Sequence, residues 1–171
     1  SGTARYQNAR LWQGPNVIEA PTLDFKREPR EVIATGDRGH AITTVFVEQD
    51  KNGKVTPLNL TAARLTYSDA QRQAHFEGGV TMKGADTTVT AERLDIFLRS
   101  RNGASATAPT GPSQLDRAVA SGGIVIQSSN RRATGENLVY TAADGKFVLT
   151  GGPPSIFDAE RGNITGDSLT F

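Results

Sequence analysis

The sequence predicts an all-β fold built from stacked antiparallel strands. Helical periodicity is nearly absent, because Gly or β-branched runs interrupt every window in which apolar residues recur at i, i+3, i+4 and i+7. Short segments in which every second residue is apolar are frequent, and Gly, Asn and Asp bound them. The clearest of these segments are Val80-Thr81-Met82, Leu94-Asp95-Ile96, Ile124-Val125-Ile126, Leu138-Val139-Tyr140 and Phe147-Val148-Leu149.

Two dipeptides indicate tight hairpins between such strands. Asn52-Gly53 and Asp144-Gly145 lie between apolar runs, and both pairs tolerate the positive φ angles of a type I′ turn. Residues 99–114, in contrast, hold small and polar side chains without an aliphatic anchor, which is typical of a long mobile loop. We expect this loop to lie inside a single domain that spans residues 1–171.

Internal repetition is the strongest signal in the chain. Leu65 and Leu94 are 29 residues apart. Leu138 and Leu169 are 31 residues apart. A unit of about 30 residues with paired strands cannot bury its own apolar face, so successive units must stack into an elongated β structure. The repeated segments are Ala63-Arg64-Leu65-Thr66-Tyr67, Ala91-Glu92-Arg93-Leu94-Asp95-Ile96-Phe97, Gly135-Glu136-Asn137-Leu138-Val139-Tyr140 and Gly166-Asp167-Ser168-Leu169-Thr170-Phe171, with a weaker first copy at Ala9-Arg10-Leu11-Trp12-Gln13-Gly14.

Composition excludes several classes of function. The 19 basic and 18 acidic residues leave a net charge of +1, so nucleic acid is not an expected partner. The absence of cysteine excludes disulfides, thiolate metal sites and thiol nucleophiles. No run approaches the roughly 20 apolar residues of a membrane helix. The start Ser1-Gly2 and the strand-like ending at Phe171 indicate a piece of a longer protein.

The sequence offers no catalytic or metal site. His40 and His75 are the two histidines, and neither lies in a metal-ligand or nucleophile motif. Alternation places His75 on the face opposite Phe76, towards solvent. No Gly-rich stretch opens a helix, so the Gly-Gly pairs are interpreted as strand ends or bulges rather than as phosphate loops. We therefore expect a non-enzymatic protein without a cofactor.

Two basic clusters admit two interpretations. Lys26-Arg27 with Arg30, and Arg131-Arg132, could contact the phosphates of sugar head groups, because a guanidinium matches phosphate geometry. The alternative, which the interspersed Glu28 and Glu31 favour, is that these charges are exposed at turns and keep the protein soluble.

The ordered repeats resemble the OstA/LptA family of lipopolysaccharide-transport proteins. The resemblance rests on the recurring pattern Thr/Ser-Gly-Gly-Val/Ile, a short polar stretch, Ala-x-x-Leu-x-Tyr/Phe and a return to Gly. It covers nearly the whole chain and includes Ala-Arg-Leu-Trp-Gln-Gly near the start.

The resemblance implies both a fold and a function. That family forms an open, twisted β-jellyroll in the periplasm of Gram-negative bacteria, where an apolar groove shields the acyl chains of lipid A. We therefore expect lipopolysaccharide binding and transport across the periplasm to the outer membrane. Related domains serve as the soluble bridge, as the tethered LptC component and as the N-terminal domain of the outer-membrane receptor. Other β-jellyroll components of this bridge are the implied protein partners.

Alternation places twelve apolar side chains on one face of the sheet. The family resemblance implies that this face is a lipid-binding interior. The same alternation suits the dry core of a structural β-solenoid, and pattern alone favours that alternative. A carbohydrate-binding module or a glycan-acting enzyme is disfavoured, because the chain has one Trp, no aromatic platform and no convincing carboxylate pair. The twelve residues are Leu65, Tyr67, Val80, Met82, Leu94, Ile96, Ile124, Ile126, Leu138, Tyr140, Phe147 and Leu149.

The ends of the repeat array predict self-association. An open sheet leaves its first and last strands unpaired on one side, and such edges recruit other strands unless Pro or charge blocks them. Residues 5–13 and 164–171 contain no Pro, and Asp167 is the single charge in the second segment. Because the two edges differ, we expect pairing to be head-to-tail and to form open rods.

Overall fold

The computed structural model describes residues 2–13, 16–49, 55–99 and 115–170. Within these ranges the chain forms fourteen β-strands and no helix, so the all-β prediction is confirmed. The strands are β1 (Thr3–Gln13), β2 (Asn16–Lys26), β3 (Glu31–Thr35), β4 (Ile42–Gln49), β5 (Val55–Ala62), β6 (Arg64–Ser68), β7 (Gln73–Lys83), β8 (Thr87–Leu98), β9 (Leu115–Ser128), β10 (Arg131–Thr141), β11 (Lys146–Thr150), β12 (Ser155–Asp158), β13 (Gly162–Thr165) and β14 (Ser168–Thr170).

The strands pair antiparallel in one continuous hydrogen-bonded network. Six of them close into a ring in the order β7-β5-β4-β2-β3-β6, since β7 also pairs with β6. β1 attaches to β2, and β8, β9 and β10 extend from β7. This pairing confirms stacked antiparallel strands, but it does not by itself establish an open jellyroll, because six strands close on themselves.

The network divides into two arms that share their long strands. The first arm contains β4, β5, β12 and β13, and the second contains β3, β6, β11 and β14. In β7, Thr81 lies opposite β5, whereas Phe76 lies opposite β6. In β10, Ala133 lies opposite β12, whereas Leu138 lies opposite β11. Each long strand therefore contributes one half to each arm.

A line of bulges, here called the crease, marks where the long strands pass between the arms. The pairing register shifts after Glu77 in β7 and after Gly135 in β10. Gly78 and Gly122 lie in the crease with φ angles of 83°, a backbone conformation that costs free energy for residues other than Gly. The interpretation of the Gly-Gly pairs as bulges is thus confirmed for β7 and β9.

The hydrophobic core lies between the two arms. Phe46 of the first arm and Phe76 of the second meet edge to face, with ring centroids 6.3 Å apart. Phe76 is fully buried, and the core continues on both sides of it from β2 to β11. The largest fully buried side chains are Phe76, Leu23, Ile42, Leu60, Leu65, Ile124, Leu149, Thr44 and Pro154.

One of the two predicted hairpins is fully described. β10 and β11 form a hairpin at Asp144-Gly145, as predicted, but its turn is not type I′. Four residues separate the paired Thr141 and Lys146, and Gly145, with φ of 66°, donates its N–H to the Thr141 carbonyl at 2.9 Å. The longer connection explains why Asp144 needs no positive φ.

Two sequence predictions concern residues that lie outside the described ranges. Asn52-Gly53 lies outside the described residues, although the flanking strands β4 and β5 pair antiparallel as far as Gln49 opposite Val55. Of the predicted loop, only Arg99 is described, and residues 100–114 lie outside.

Candidate functional site

The face of the folded sheet that points between the arms carries the candidate site. All twelve side chains predicted for the interior lie along it. Eleven belong to the core cluster or pack against it, and the twelfth, Tyr140, packs on Phe147 with ring centroids 4.6 Å apart. The alternation in the sequence therefore identified side chains that share one face of the sheet. Their contact with lipid is proposed below.

The twelve residues differ in their exposure. Five are only partly buried and could contact a ligand without rearrangement: Tyr67, Met82, Ile126, Tyr140 and Phe147. The other seven are buried against the core: Leu65, Val80, Leu94, Ile96, Ile124, Leu138 and Leu149. The floor of this face is consequently a packed core, and its accessible surface comes from the five partly buried side chains.

A cavity of about 300 Å³ lies between the arms near the N-terminal end of the array. Ile18 and Phe46 form its wall on the first arm, and Phe25 and Val32 form its wall on the second. Tyr67, like Leu65, also lines this space, so two of the twelve predicted residues contribute to it. The other ten lie farther along the same face, outside the cavity wall.

Sequence reasoning missed most of this wall. Phe25 follows Leu23 at a spacing of two, and Val32 precedes Ala34 in the same way, so alternation was present in the first repeat. That repeat is weaker than the later ones, and its residues were not assigned to the interior. Phe46 gave no repeat signal, because its position depends on the pairing of β4 with β2.

Thr44 is an unusual member of the cavity wall. It lies between Ile42 and Phe46 on the inner side of β4 and is fully buried. Among the residues that the structure describes, its hydroxyl Oγ1 has no hydrogen-bond partner. A buried hydroxyl without a partner costs about 1–3 kcal/mol, so this position carries an energetic penalty that an apolar side chain would not.

The exposed rim of the cavity is charged. Lys26 Nζ lies 2.6 Å from Glu31 Oε2, a tight pair, whereas Arg30 Nη1 lies 3.9 Å from Asp69 Oδ2. The Tyr67 hydroxyl contacts the other oxygen of Asp69 at 3.4 Å. All four charged residues line the cavity. The rim therefore combines a closed ion pair with a loosely held guanidinium.

A second ion pair stands on β1 and β2 outside the cavity. Arg5 reaches both carboxylate oxygens of Asp24, at 2.7 and 3.2 Å. The hydrogen bond from Arg5 lowers the pKa of Asp24 below its usual range. This pair joins the edge strand to the array.

His75 lies on the outer face, opposite Phe76, as predicted. Its Nδ1 is 2.7 Å from Asp95 Oδ1, which also accepts a hydrogen bond from Gln73 at 2.7 Å. The ring is partly buried among these groups rather than fully exposed. Among the described residues there is no group of three or more His, Asp or Glu side chains that could hold a metal ion.

Asp158 organises the turn between β12 and β13. It accepts a hydrogen bond from Arg131 Nε at 2.6 Å and the backbone N–H groups of Glu160 and Arg161 at 2.9 and 3.1 Å. The Arg131 hydrogen bond, followed by the backbone donors, lowers the pKa of Asp158. Arg131, one of the basic residues considered for phosphate contact, is thus engaged within the protein.

The family model described as LptA/(LptD N-terminal domain) LPS transport protein matches residues 59–171. The chain belongs to this family. The match covers about two thirds of the sequence and contains every Gly-Gly bulge of the crease. No curated protein matches the chain. The resemblance seen in the sequence is therefore confirmed.

The family match covers only part of the candidate site. The LptA/LptD N-terminal match includes Leu65 and Tyr67, but the cavity walls from β2, β3 and β4 precede residue 59. The family is one of transport proteins, which gives this chain a role in lipopolysaccharide transport. In the described parts of the chain, no helix has the length and apolar character needed to cross a membrane.

Proposed function

We propose that the inner face of the folded sheet binds the acyl chains of lipopolysaccharide and carries the lipid across the periplasm to the outer membrane. The observation that carries this proposal is one continuous apolar face, between two arms, in a chain of the lipopolysaccharide-transport family. Each buried methylene would contribute about 0.8 kcal/mol. The twelve inner residues are the proposed contact set, with the five partly buried ones contacting lipid first.

The arrangement of the arms supports transport rather than storage. β10 pairs with β12 in one arm and with β11 in the other, so the two arms end on different strands. We propose that this end of the fold has the open jellyroll form that the resemblance implies. Such an end would let acyl chains pass to a neighbouring domain of similar form without crossing water.

We also propose head-to-tail association with related domains or with further copies of this chain. β1 pairs only with β2 among the described strands, and β13 and β14 each have one described partner. The C-terminal segment 164–171 was predicted as one edge. The structure divides it between β13 and β14, which lie in different arms, because the chain turns between Thr165 and Ser168.

Site-specific photo-crosslinking tests the lipid proposal. A crosslinking residue at Ile126 lies on the inner face, and one at the adjacent Val125 lies on the outer face, which makes the two a matched pair. We expect lipopolysaccharide adducts at position 126 and few at 125. Equal adducts at both positions would contradict the face assignment. No adduct at either would favour a structural protein with a dry core.

A further inference from the structure

The cavity near the N-terminal end is much smaller than the whole inner face. It holds about 300 Å³ and is bounded by side chains of both arms, including Ile18, Phe25 and Phe46. A water molecule occupies roughly 30 Å³ of liquid, and a methylene group is of similar size, so the cavity has room for about ten such groups. One acyl chain of about ten carbons therefore fits this space.

The buried part of the cavity suits a hydrocarbon. Leu65 and Ala74, at its inner side, are almost completely buried, and Val32 and Phe25 continue the apolar wall towards the rim. Two polar side chains lie on this wall: Thr44, whose hydroxyl has no partner among the described residues, and Asn16, whose Oδ1 accepts the Val47 N–H at 3.1 Å. The tail of an amphiphile would therefore lie inside, with its polar end at the charged rim.

The charges at the rim favour an anionic head group. Lys26 is neutralised by Glu31 at 2.6 Å. The side chain of Arg30 is 80% exposed, and its 3.9 Å separation from Asp69 is too long for a hydrogen bond. Its planar guanidinium can therefore offer two parallel N–H donors to a carboxylate or a phosphate, the geometry in which Arg binds such groups most strongly.

We infer that this cavity is a binding site for a single acyl chain of about ten carbons whose carboxylate or phosphate head group pairs with Arg30. The inference rests on the proposed lipid-binding function and narrows it, because it assigns one chain and one head-group contact to a defined part of the inner face. Asp69 opposes an anion at this position, so binding requires the guanidinium to turn from Asp69 towards the ligand.

Trp12 provides a direct reporter of occupancy. It lines the cavity and is the single tryptophan of the chain. The guanidinium of Arg10 lies over its ring at 5.7 Å from the centroid, and Arg10 itself pairs with Glu19. Bromine atoms on a bound chain would quench this fluorescence, so the signal from the whole protein reports on this one site.

The experiment titrates the protein with straight-chain carboxylates of six, eight, ten, twelve and fourteen carbons, using calorimetry and Trp12 fluorescence. We expect the Kd to fall about fourfold for each added methylene up to about ten carbons, and to level off beyond that length. Brominated decanoate should quench Trp12 with the same Kd. A Kd that keeps falling steadily to fourteen carbons, or the absence of quenching, would overturn the proposed site.

A matched pair of variants tests the head-group contact. Arg30→Gln should raise the Kd for decanoate and decyl phosphate about tenfold and leave the neutral decanol unchanged, because a charged hydrogen bond is lost. Arg27→Gln, in the same turn but outside the cavity wall, should change none of the three. The tighter of the two anions identifies the head group as carboxylate or phosphate. An equal loss for decanol would overturn the contact.

The test of this cavity can fail independently of the test of lipopolysaccharide binding along the whole inner face. Lipopolysaccharide crosslinking at Ile126 reports on the face beyond the cavity, since Ile126 does not line it. Failure of the single-chain titration with intact crosslinking would reject this site alone. Failure of crosslinking with an intact titration would reject the transport groove and leave a small-amphiphile site.

Discussion

Gly122 packs directly against Glu92, so that a Cβ atom added to Gly122 would stand 2.6 Å from the Cβ of Glu92. The same relationship joins Gly78 to Ala63 at 2.6 Å. Gly151 repeats it against Glu136 at 2.9 Å. Each Gly-Gly pair therefore packs against the second residue of an Ala-Ala, Ala-Glu or Gly-Glu segment, and this contact recurs along the crease.

Substituting Gly122 by Ala should destabilise the fold more than substituting Gly123. Both positions have positive φ angles, 83° and 56°, which cost a non-Gly residue about 1–2 kcal/mol. Gly122 adds the clash with Glu92, whereas a Cβ at Gly123 meets no atom of the described residues within 4 Å. Urea unfolding should show Gly122→Ala losing a further 1–3 kcal/mol or so. Equal losses would show that the crease relaxes around the added methyl group.

Removing the ring of Phe76 should strongly destabilise the folded protein. Phe76 is fully buried and meets Phe46 across the arms, so Phe76→Ala should cost about 3–5 kcal/mol. The exposed Phe157 is the control, and Phe157→Ala should change the free energy of unfolding by less than about 0.5 kcal/mol. Chemical denaturation of the two variants gives both values. Similar losses in the two would contradict a core centred on Phe76.

Replacing Thr44 by Val should stabilise the protein. The substitution keeps the branched shape and removes a buried hydroxyl that has no partner in the described part of the chain, so we expect a gain of about 1–3 kcal/mol. Thr43→Val on the opposite face of the same strand is the control and should be nearly neutral. Thermal unfolding measures both. A lower melting temperature for Thr44→Val would show that the hydroxyl has a partner in solution.

The β12–β13 turn should loosen in acid. Because the pKa of Asp158 is lowered in the folded state, its contribution to stability is present above its ordinary pKa near 4 and is lost as pH falls through the folded value. The protection factors of the Glu160 and Arg161 amides, which are measured against the intrinsic exchange rate at each pH, should fall over that range. Asp158→Asn should show low protection at neutral pH and little further change in acid. Wild-type protection factors that stay constant down to pH 2 would contradict the prediction.

Thr170→Pro should weaken association between copies of the chain. Thr170 lies in β14, opposite Val148 of β11, at the last described edge of the second arm. Proline at position 170 removes one backbone donor from β14, whereas Thr170→Ala retains it, and unchanged cooperative unfolding of Thr170→Pro would show that this donor faces the free side of the strand. Light scattering should show wild type and Thr170→Ala growing in mass with concentration, and Thr170→Pro remaining smaller. A wild-type protein that is monomeric at millimolar concentration would refute head-to-tail association.

Local pattern predicted the strands and their faces because both depend on nearest neighbours. Leu94 and Ile96 lie on the inner face as alternation requires. Ala91 and Leu94 are both buried although they are three residues apart, which alternation alone forbids. The crease explains this, because the register shift beside Glu92 inverts the faces of β8.

The cavity could not be predicted in the same way, because it is made by pairings between distant segments. Phe46 and Phe76 are thirty residues apart in the sequence and meet only when β4 and β7 are placed on either side of β5. The sequence did not indicate that Thr44 is buried, since threonine residues in strands are ordinarily exposed. Its burial follows from the arm that covers it rather than from its neighbours in the chain.

β10 pairs with β12 along one half and with β11 along the other, and this divided pairing determines which strand edges a further domain would meet. Beyond β10 each arm ends on its own short strand, four residues in β13 and three in β14, separated by the crease. At the opposite end, β1 is a single strand of eleven residues that spans both halves of β2. The two ends thus differ: one presents two short strands, one on each arm, and the other presents a single strand that runs along both halves of its neighbour.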